Sequence, residues 1–220
     1  TNIFSVDGYL EKEIEIKEQT LTSDVDINIP AISKKYSQKI ALIIGNENYS
    51  TFQYGLNPEI DVAYAKSDAR IFKEYCTKTL GVLPENIVYR ENGTAAQMTG
   101  DIIKVKNLIN VIGSKTEVIV YYAGHGLPKE SSNEAFLIPI DVTGTNIDAG
   151  IKLSYLYEQL TEFKSEKVTV FLDACFTGGA RGQGLVAVRS VRVNPKNDFL
   201  RGNIVVFSAS SEIESSMSWK

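Results

Sequence analysis

Two apolar runs, each followed by a chemically reactive side chain and by glycine, constrain this chain more than any other feature. Residues 167–179 read KVTVFLDACFTGG, so that an apolar strand leads into Asp173 and Cys175. Residues 117–126 read EVIVYYAGHG and lead into His125, the only histidine among the 220 residues. Apolar runs of this kind are typical of strands buried on both faces of a parallel sheet. Because the carboxyl ends of such strands share one edge of the sheet, Cys175 and His125 can meet there if the two strands are neighbours.

Strands and amphipathic segments alternate along the rest of the chain. Apolar runs predict strands at residues 39–45, 86–90, 117–123, 136–140, 168–172 and 203–208. Apolar residues at helical spacing predict helices at residues 60–80, 95–112 and 155–163, the last two capped by Thr94 and Ser154. This order predicts an α/β fold with a mostly parallel central sheet and helices on both faces. Residues 178–202, rich in Gly and Arg, predict a long loop of the kind that often carries function.

The beginning of the chain carries a different pattern and predicts an N-terminal extension. Apolar and charged or polar residues alternate at positions 13–17 and again at 24–29. A period of two predicts two half-exposed strands, joined as a hairpin across residues 20–23. The predicted organisation is therefore an extension with short strands at 1–38 and a main domain at 39–220.

Composition and charge argue against several classes of function. The net charge of −4 and the isoelectric point near 5.2 give no electrostatic reason to expect nucleic acid or an anionic membrane as a partner. No apolar run approaches the roughly 18 residues of a transmembrane helix and no signal-peptide pattern is present, so we expect a soluble protein and favour the cytoplasm over secretion. Two cysteines and one histidine make neither a disulfide framework nor an ordinary zinc site. Cys76 lies on the apolar face of the first predicted helix, where we interpret it as a small buried hydrophobe.

A cysteine beside a histidine supports nucleophilic catalysis. The imidazole of His125 can take the proton of the Cys175 thiol, which at neutral pH is otherwise mostly protonated and a weak nucleophile. The backbone N–H groups of Cys175 and Gly126 are candidate donors to an oxyanion. Two ordinary core residues are the simpler interpretation, but both residues lie close to glycines that end strands rather than within the strands. No phosphate-binding glycine motif follows the first strand, which disfavours a nucleotide- or flavin-binding domain.

The paired motifs resemble those of the caspase superfamily of cysteine peptidases, peptidase family C14. AGHG at 123–126 and LDACFTGG at 172–179 place His125 and Cys175 50 positions apart (175 minus 125), close to the spacing in caspases. The setting of Cys175 differs from the QAC[RQG]G of true caspases and is similar to that of metacaspases and bacterial caspase homologues. Upstream, ALIIGNENY, SDARIFKEYCTKTLG and ENIVYREN resemble the first strand, first helix and second strand of the family. The resemblance covers residues 38–212 and implies a caspase-like α/β/α sandwich, to which the N-terminal β extension is added.

The resemblance implies a cysteine endopeptidase with Cys175 as nucleophile and His125 as general base and acid. Asp173 and Asp68 match two acidic residues of the family's S1 pocket, and two carboxylates there favour protein or peptide substrates with Arg or Lys at P1. Simpler interpretations of these acids are a solvated helix residue for Asp68 and a backbone hydrogen-bonding residue for Asp173. The alternative from another class is a catalytically silent caspase-like interaction module, against which the intact Cys and His argue.

The resemblance also implies a substrate-binding edge and self-processing. Ser210 and Ser211 follow the last strand, where the family presents its substrate-binding edge, although a flexible terminus is an equal interpretation. A peptidase that cleaves after basic residues could process itself, which would leave a C-terminal fragment of the same precursor as a partner. The acidic cluster of calcium-dependent metacaspases has no counterpart directly after Cys175, so we expect no metal and no cofactor. The candidate self-cleavage sites are Arg181, Arg189, Arg192, Lys196, Arg201 and Lys220.

Overall fold

The computed structural model describes residues 24–129, 131–132, 134–174, 176 and 202–209. Its strands are β1 (Lys39–Gly45), β2 (Ile87–Glu91), β3 (Glu117–Ala123), β4 (Gly126–Lys129), β5 (Glu134–Leu137), β6 (Ile151–Lys152), β7 (Lys167–Asp173) and β8 (Ile204–Ser208). Its α-helices are α1 (Tyr49–Phe52), α2 (Ala65–Lys78), α3 (Ala95–Ile112) and α4 (Leu153–Thr161). Within the described residues, no helix is both long and apolar enough to cross a membrane.

Five of these strands form one parallel sheet in the order β2-β1-β3-β7-β8. This topology confirms the predicted α/β fold with a mostly parallel central sheet. The predicted strand at 136–140 is not part of that sheet. Its first residues belong to β5, which pairs antiparallel with β4 and β6 in a separate three-stranded sheet. The sequence pattern does not predict β4 and β6, because strands of two to four residues are too short to show a period.

Alternate residues of the central strands face opposite layers of helices. On one face, Ile43 of β1 packs with Ala69 and Cys76 of α2. On the other face, Leu42 joins a larger core to which α3 and α4 contribute. Helices therefore cover both faces of the sheet, as the α/β/α sandwich requires. Cys76 is fully buried, and burial raises the pKa of its thiol to about 12, which confirms its interpretation as a small buried hydrophobe.

The helix boundaries follow local capping chemistry. Thr94 caps α3 as predicted, because its side chain accepts from the Gln97 N–H while the Gln97 side chain accepts from the Thr94 N–H. Helix α2 begins at Ala65 rather than at residue 60, since Pro58–Ile60 forms a separate 3-10 turn. The predicted cap of α4 is wrong: Ser154 lies inside the helix, and the N-cap position is Lys152, with no side-chain cap.

The second predicted strand of the N-terminal extension is also wrong. Asp24–Asp26 forms a 3-10 turn, and Val25 and Ile27 are exposed instead of facing a core. The chain here bonds to α2 rather than to another strand: the Tyr75 hydroxyl donates to the Val25 carbonyl (2.6 Å). The Val25 carbonyl is therefore not available to a strand ladder, and a 3-10 turn forms where the alternating pattern predicts a strand. The first predicted strand, at 13–17, and residues 178–201 of the predicted loop lie outside the described part of the chain.

A glycine at the end of β1 sets how closely α2 approaches the sheet. A Cβ on Gly45 would lie 2.5 Å from the Ala65 carbonyl oxygen and 2.8 Å from the Ala69 Cβ. We expect Gly45→Ala to lower the free energy of unfolding by about 2 kcal/mol, because backbone as well as side chain must move. The control is Gly100→Ala in α3, where a Cβ would meet nothing within 4 Å. This substitution should raise the free energy of unfolding by about 0.5 kcal/mol, because alanine favours a helix more than glycine does. Urea unfolding checks both, and equal stability of the two variants would contradict the expectation.

Candidate active site

Strands β3 and β7 are direct neighbours, and their carboxyl ends lie side by side. The ladder runs without interruption from Glu117 opposite Lys167 to Ala123 opposite Asp173, each pair being 50 positions apart (173 minus 123). Directly beyond it, the Gly124 N–H donates to the Asp173 carbonyl oxygen (3.3 Å). His125 and Cys175 have the same separation in the sequence. Cys175 itself lies outside the described residues, while its neighbours Ala174 and Phe176 are described and buried.

His125 is a buried side chain with a defined hydrogen-bond partner. It is 6% exposed, and its Nε2 lies 2.6 Å from the carbonyl oxygen of Ile60. A carbonyl can only accept, so the proton must sit on Nε2. In the neutral ring, Nδ1 is then the basic nitrogen. Tyr49 packs against the imidazole at a centroid distance of 4.5 Å, which restricts rotation of the ring.

The candidate oxyanion donor Gly126 begins β4. It stands opposite Leu137 of β5, and the bond next to this pair runs from the Ile138 N–H to the His125 carbonyl oxygen (3.0 Å). Hydrogen bonds alternate along an antiparallel ladder, so Gly126 occupies a non-hydrogen-bonded pair and its N–H points away from β5. The Phe176 ring packs on Gly126 so closely that a Cβ there would lie 2.5 Å from it. The second candidate donor, the Cys175 N–H, lies outside the described residues.

The two predicted substrate-binding acids, Asp68 and Asp173, influence each other electrostatically. Asp68 lies in the first turn of α2 and Asp173 at the end of β7. Partial burial raises the pKa of the Asp68 carboxyl to about 6, and the charge of Asp173 adds to the effect, with smaller contributions from Asp26 and Glu47. Burial, then Asp173, then Asp68 raise the pKa of the Tyr121 hydroxyl. The structure therefore brings both acids to one region near Tyr121, at the same sheet edge as His125.

The remaining predicted site residues lie outside the described part of the chain and stay predictions. Ser210 and Ser211 follow described residues by one and two positions, since Ala209 is the last described residue after β8. Also outside the described residues are the candidate self-cleavage sites Arg181, Arg189, Arg192, Lys196, Arg201 and Lys220.

Three contacts of His125 are not predicted by the sequence motifs: the Ile60 carbonyl, the Tyr49 side chain and the Tyr122 hydroxyl, which donates to the His125 carbonyl oxygen (2.7 Å). Any residue can supply a backbone carbonyl, so Ile60 carries no signal. Tyr122 does carry one, because a buried tyrosine within a strand must find a partner for its hydroxyl.

Comparison with known proteins identifies the family. The family model for the caspase domain of peptidase C14 matches residues 38–220. The chain belongs to the caspase domain family. It is thus a member of a family of cysteine peptidases, whereas a particular closeness to metacaspases stays a prediction.

A solved structure of a protein from Geobacter sulfurreducens is similar to this caspase domain, with 22% sequence identity and a TM-score of 0.42. The match covers 63% of this chain and 50% of that one, so this chain spans only about half the length of that protein. No curated protein matches the chain.

Proposed function

We propose that this caspase domain hydrolyses peptide bonds through Cys175 and His125, with preference for Arg or Lys at P1. The observation that carries the proposal is the β3–β7 ladder, whose register ends with Ala123 opposite Asp173. His125 and Cys175 each follow that last pair by two residues. In α/β folds, ligands bind at the carboxyl ends of the parallel strands. The proposal places both the nucleophile and the base at such ends.

The protonation state of His125 supports its role as base. With the proton on Nε2 and bonded to the Ile60 carbonyl, Nδ1 takes the proton of the Cys175 thiol as the sulfur attacks the substrate carbonyl carbon. The negative charge that forms on the carbonyl oxygen is stabilised by the N–H groups of Gly126 and Cys175. The imidazolium then returns the proton to the leaving amine as the C–N bond breaks. Water hydrolyses the thioester that remains and regenerates the thiol.

The acidic region around Asp68 and Asp173 supports a cationic P1 side chain. Two carboxylates that repel each other are stabilised when a guanidinium or ammonium group binds between them. An arginine can bond to a carboxylate with two parallel N–H donors, which makes it the better ligand. Burial, together with the charges of Asp173 and Asp68, raises the pKa of the Tyr121 hydroxyl, which therefore stays protonated and neutral beside the two acids.

Self-processing is part of the proposal, because the same preference would apply to the chain's own basic residues. The candidate positions are Arg181, Arg189, Arg192, Lys196, Arg201 and Lys220. The support is chemical: six basic residues follow Cys175 in the sequence, and an enzyme selective for basic P1 residues would accept such positions.

A peptide electrophile with P1 Arg tests the proposed function most directly. We expect it to label the protein at Cys175, as mapped by mass spectrometry, and to do so at least tenfold faster than the matched P1 Asp electrophile. Cys175→Ala should abolish labelling and lower turnover of a P1 Arg peptide by about 10³-fold or more. Cys76→Ala is the matched control, because its buried thiol lies in the α2 layer and should leave labelling unchanged. Equal turnover by Cys175→Ala and the unmodified chain would reject the function.

A further inference from the structure

Two buried tyrosine hydroxyls from different elements hold the main chain of His125. The His125 N–H donates to the hydroxyl oxygen of Tyr49 in α1 (3.0 Å). The hydroxyl of Tyr122 in β3 donates to the His125 carbonyl oxygen (2.7 Å). The Tyr49 hydroxyl in turn donates to the Ile138 carbonyl oxygen (2.8 Å), so its one proton is already committed. Both side chains are 1% exposed or less, and neither takes part in any chemical step of the proposed hydrolysis.

The contact with Tyr122 also determines where the Gly126 N–H points. The His125 carbonyl and the Gly126 N–H belong to one planar trans peptide, in which these two bonds point in opposite directions. Because Tyr122 and the Ile138 N–H both bind the carbonyl oxygen, rotation of this peptide would break two hydrogen bonds. A single pair of contacts thus fixes the residue that carries the base and the N–H that is the candidate oxyanion donor.

Both hydroxyls stay protonated over the working range of a peptidase. Burial raises the pKa of Tyr49 to about 12 and that of Tyr122 well above its usual value. The Tyr49 ring adds a second constraint, since it packs against the His125 imidazole at 54° between the ring planes. With the Ile60 carbonyl on Nε2, the histidine is held at its N–H, its carbonyl and its ring.

We propose that Tyr49 and Tyr122 are positioning residues that orient the His125–Gly126 peptide for catalysis. This inference rests on the proposed function, because that function assigns the base and the oxyanion donor that the two tyrosines orient. A merely structural role predicts a different outcome: loss of either hydroxyl would lower stability and leave turnover per folded molecule unchanged.

Tyr122→Phe and Tyr49→Phe test the proposal, since each removes one oxygen and keeps the ring. We expect kcat for a P1 Arg peptide to fall about tenfold to a hundredfold with KM within about twofold, because misplaced catalytic groups slow the chemical step. Tyr157→Phe is the matched control. Tyr157 is a buried tyrosine of α4 and makes none of these contacts, so its kcat should stay within about twofold of the unmodified chain.

A second readout uses the fact that His125 is the only histidine, so its ring gives unambiguous ¹⁵N NMR signals. We expect the Nε2–H tautomer in the unmodified chain and in Tyr157→Phe, and a mixture of tautomers in both test variants. Unchanged ring signals together with kcat within twofold of Tyr157→Phe would overturn the proposal. A changed tautomer in a chain whose Cys175 is never labelled would instead overturn the proposed function and leave the orienting contacts of the tyrosines supported.

Discussion

Asp173→Asn is expected to lower kcat/KM for a P1 Arg peptide by about a hundredfold, while a P1 Gln peptide changes by less than about threefold. The reason is the loss of one partner of a charge-assisted hydrogen bond that the bound substrate shields from water. Asp173 and Asp68 are close enough for the charge of one to raise the pKa of the other, so a P1 cation would sense both. Glu158→Gln is the matched control, because it removes an exposed acid from α4, in the layer opposite α2. Equal discrimination by Asp173→Asn and the control would reject the acidic pocket.

The pH dependence gives a second test of the same pocket. The pKa of Asp68 is raised to about 6, so this carboxyl is charged at pH 7.5 and mostly neutral at pH 5. The ratio of kcat/KM for P1 Arg to that for P1 Gln should therefore fall as pH decreases through about 6. Taking the ratio cancels the titration of the catalytic groups, which affects both substrates. Asp68→Asn should flatten the profile, and Asp173→Asn should move it to lower pH, because removing a neighbouring negative charge lowers the pKa of Asp68.

Gly126→Ala is expected to reduce kcat by about a hundredfold and the free energy of unfolding by about 2 kcal/mol. A Cβ on Gly126 would lie 2.5 to 2.9 Å from three atoms of the Phe176 ring, which is 1% exposed and has no room to retreat. Phe176 directly follows the proposed nucleophile, so a shift of Phe176 is expected to displace Cys175 as well.

The double variant Gly126→Ala with Phe176→Leu separates this steric effect from other causes. A smaller side chain at position 176 makes room for the methyl group and should restore a large part of the activity lost in Gly126→Ala. Steady-state kinetics and urea unfolding on the same preparations check both quantities. A double variant no more active than Gly126→Ala would contradict the steric explanation.

The central sheet and its neighbouring strand ends were predictable because their signals are long and physically simple. Seven-residue strands rich in apolar residues are unlike amphipathic helices, and parallel strands place their carboxyl ends together. The proximity of His125 to the end of β7 follows from that rule once β3 and β7 are adjacent. The acidic pair at Asp68 and Asp173 came from the family resemblance, and the structure brings the two residues within electrostatic reach.

Other features of the candidate site could not be predicted because they depend on tertiary contacts. His125 Nε2 bonds to a backbone carbonyl in the turn Pro58–Ile60. Because every residue has a backbone carbonyl, the sequence does not indicate which one the ring binds. Tyr49 lies in a helix of only four residues, too short for any periodic pattern. At residues 24–29 the alternating pattern is real, but Val25 and Ile27 are exposed in and beside a 3-10 turn, and the Val25 carbonyl is bonded to Tyr75 of α2.

The contact between the N-terminal residues and α2 bears on how short a functional version of this protein can be made. The last turn of any helix leaves carbonyl oxygens unpaired. Here the Lys78 carbonyl receives the Ile32 N–H (2.9 Å), and the Thr79 hydroxyl donates to the Pro30 carbonyl (2.6 Å). A chain trimmed to the caspase-domain match at residue 38 would lose both bonds and leave the end of α2 to water. Because α2 carries Asp68, the smallest unit that keeps the proposed substrate preference is expected to begin ahead of Pro30.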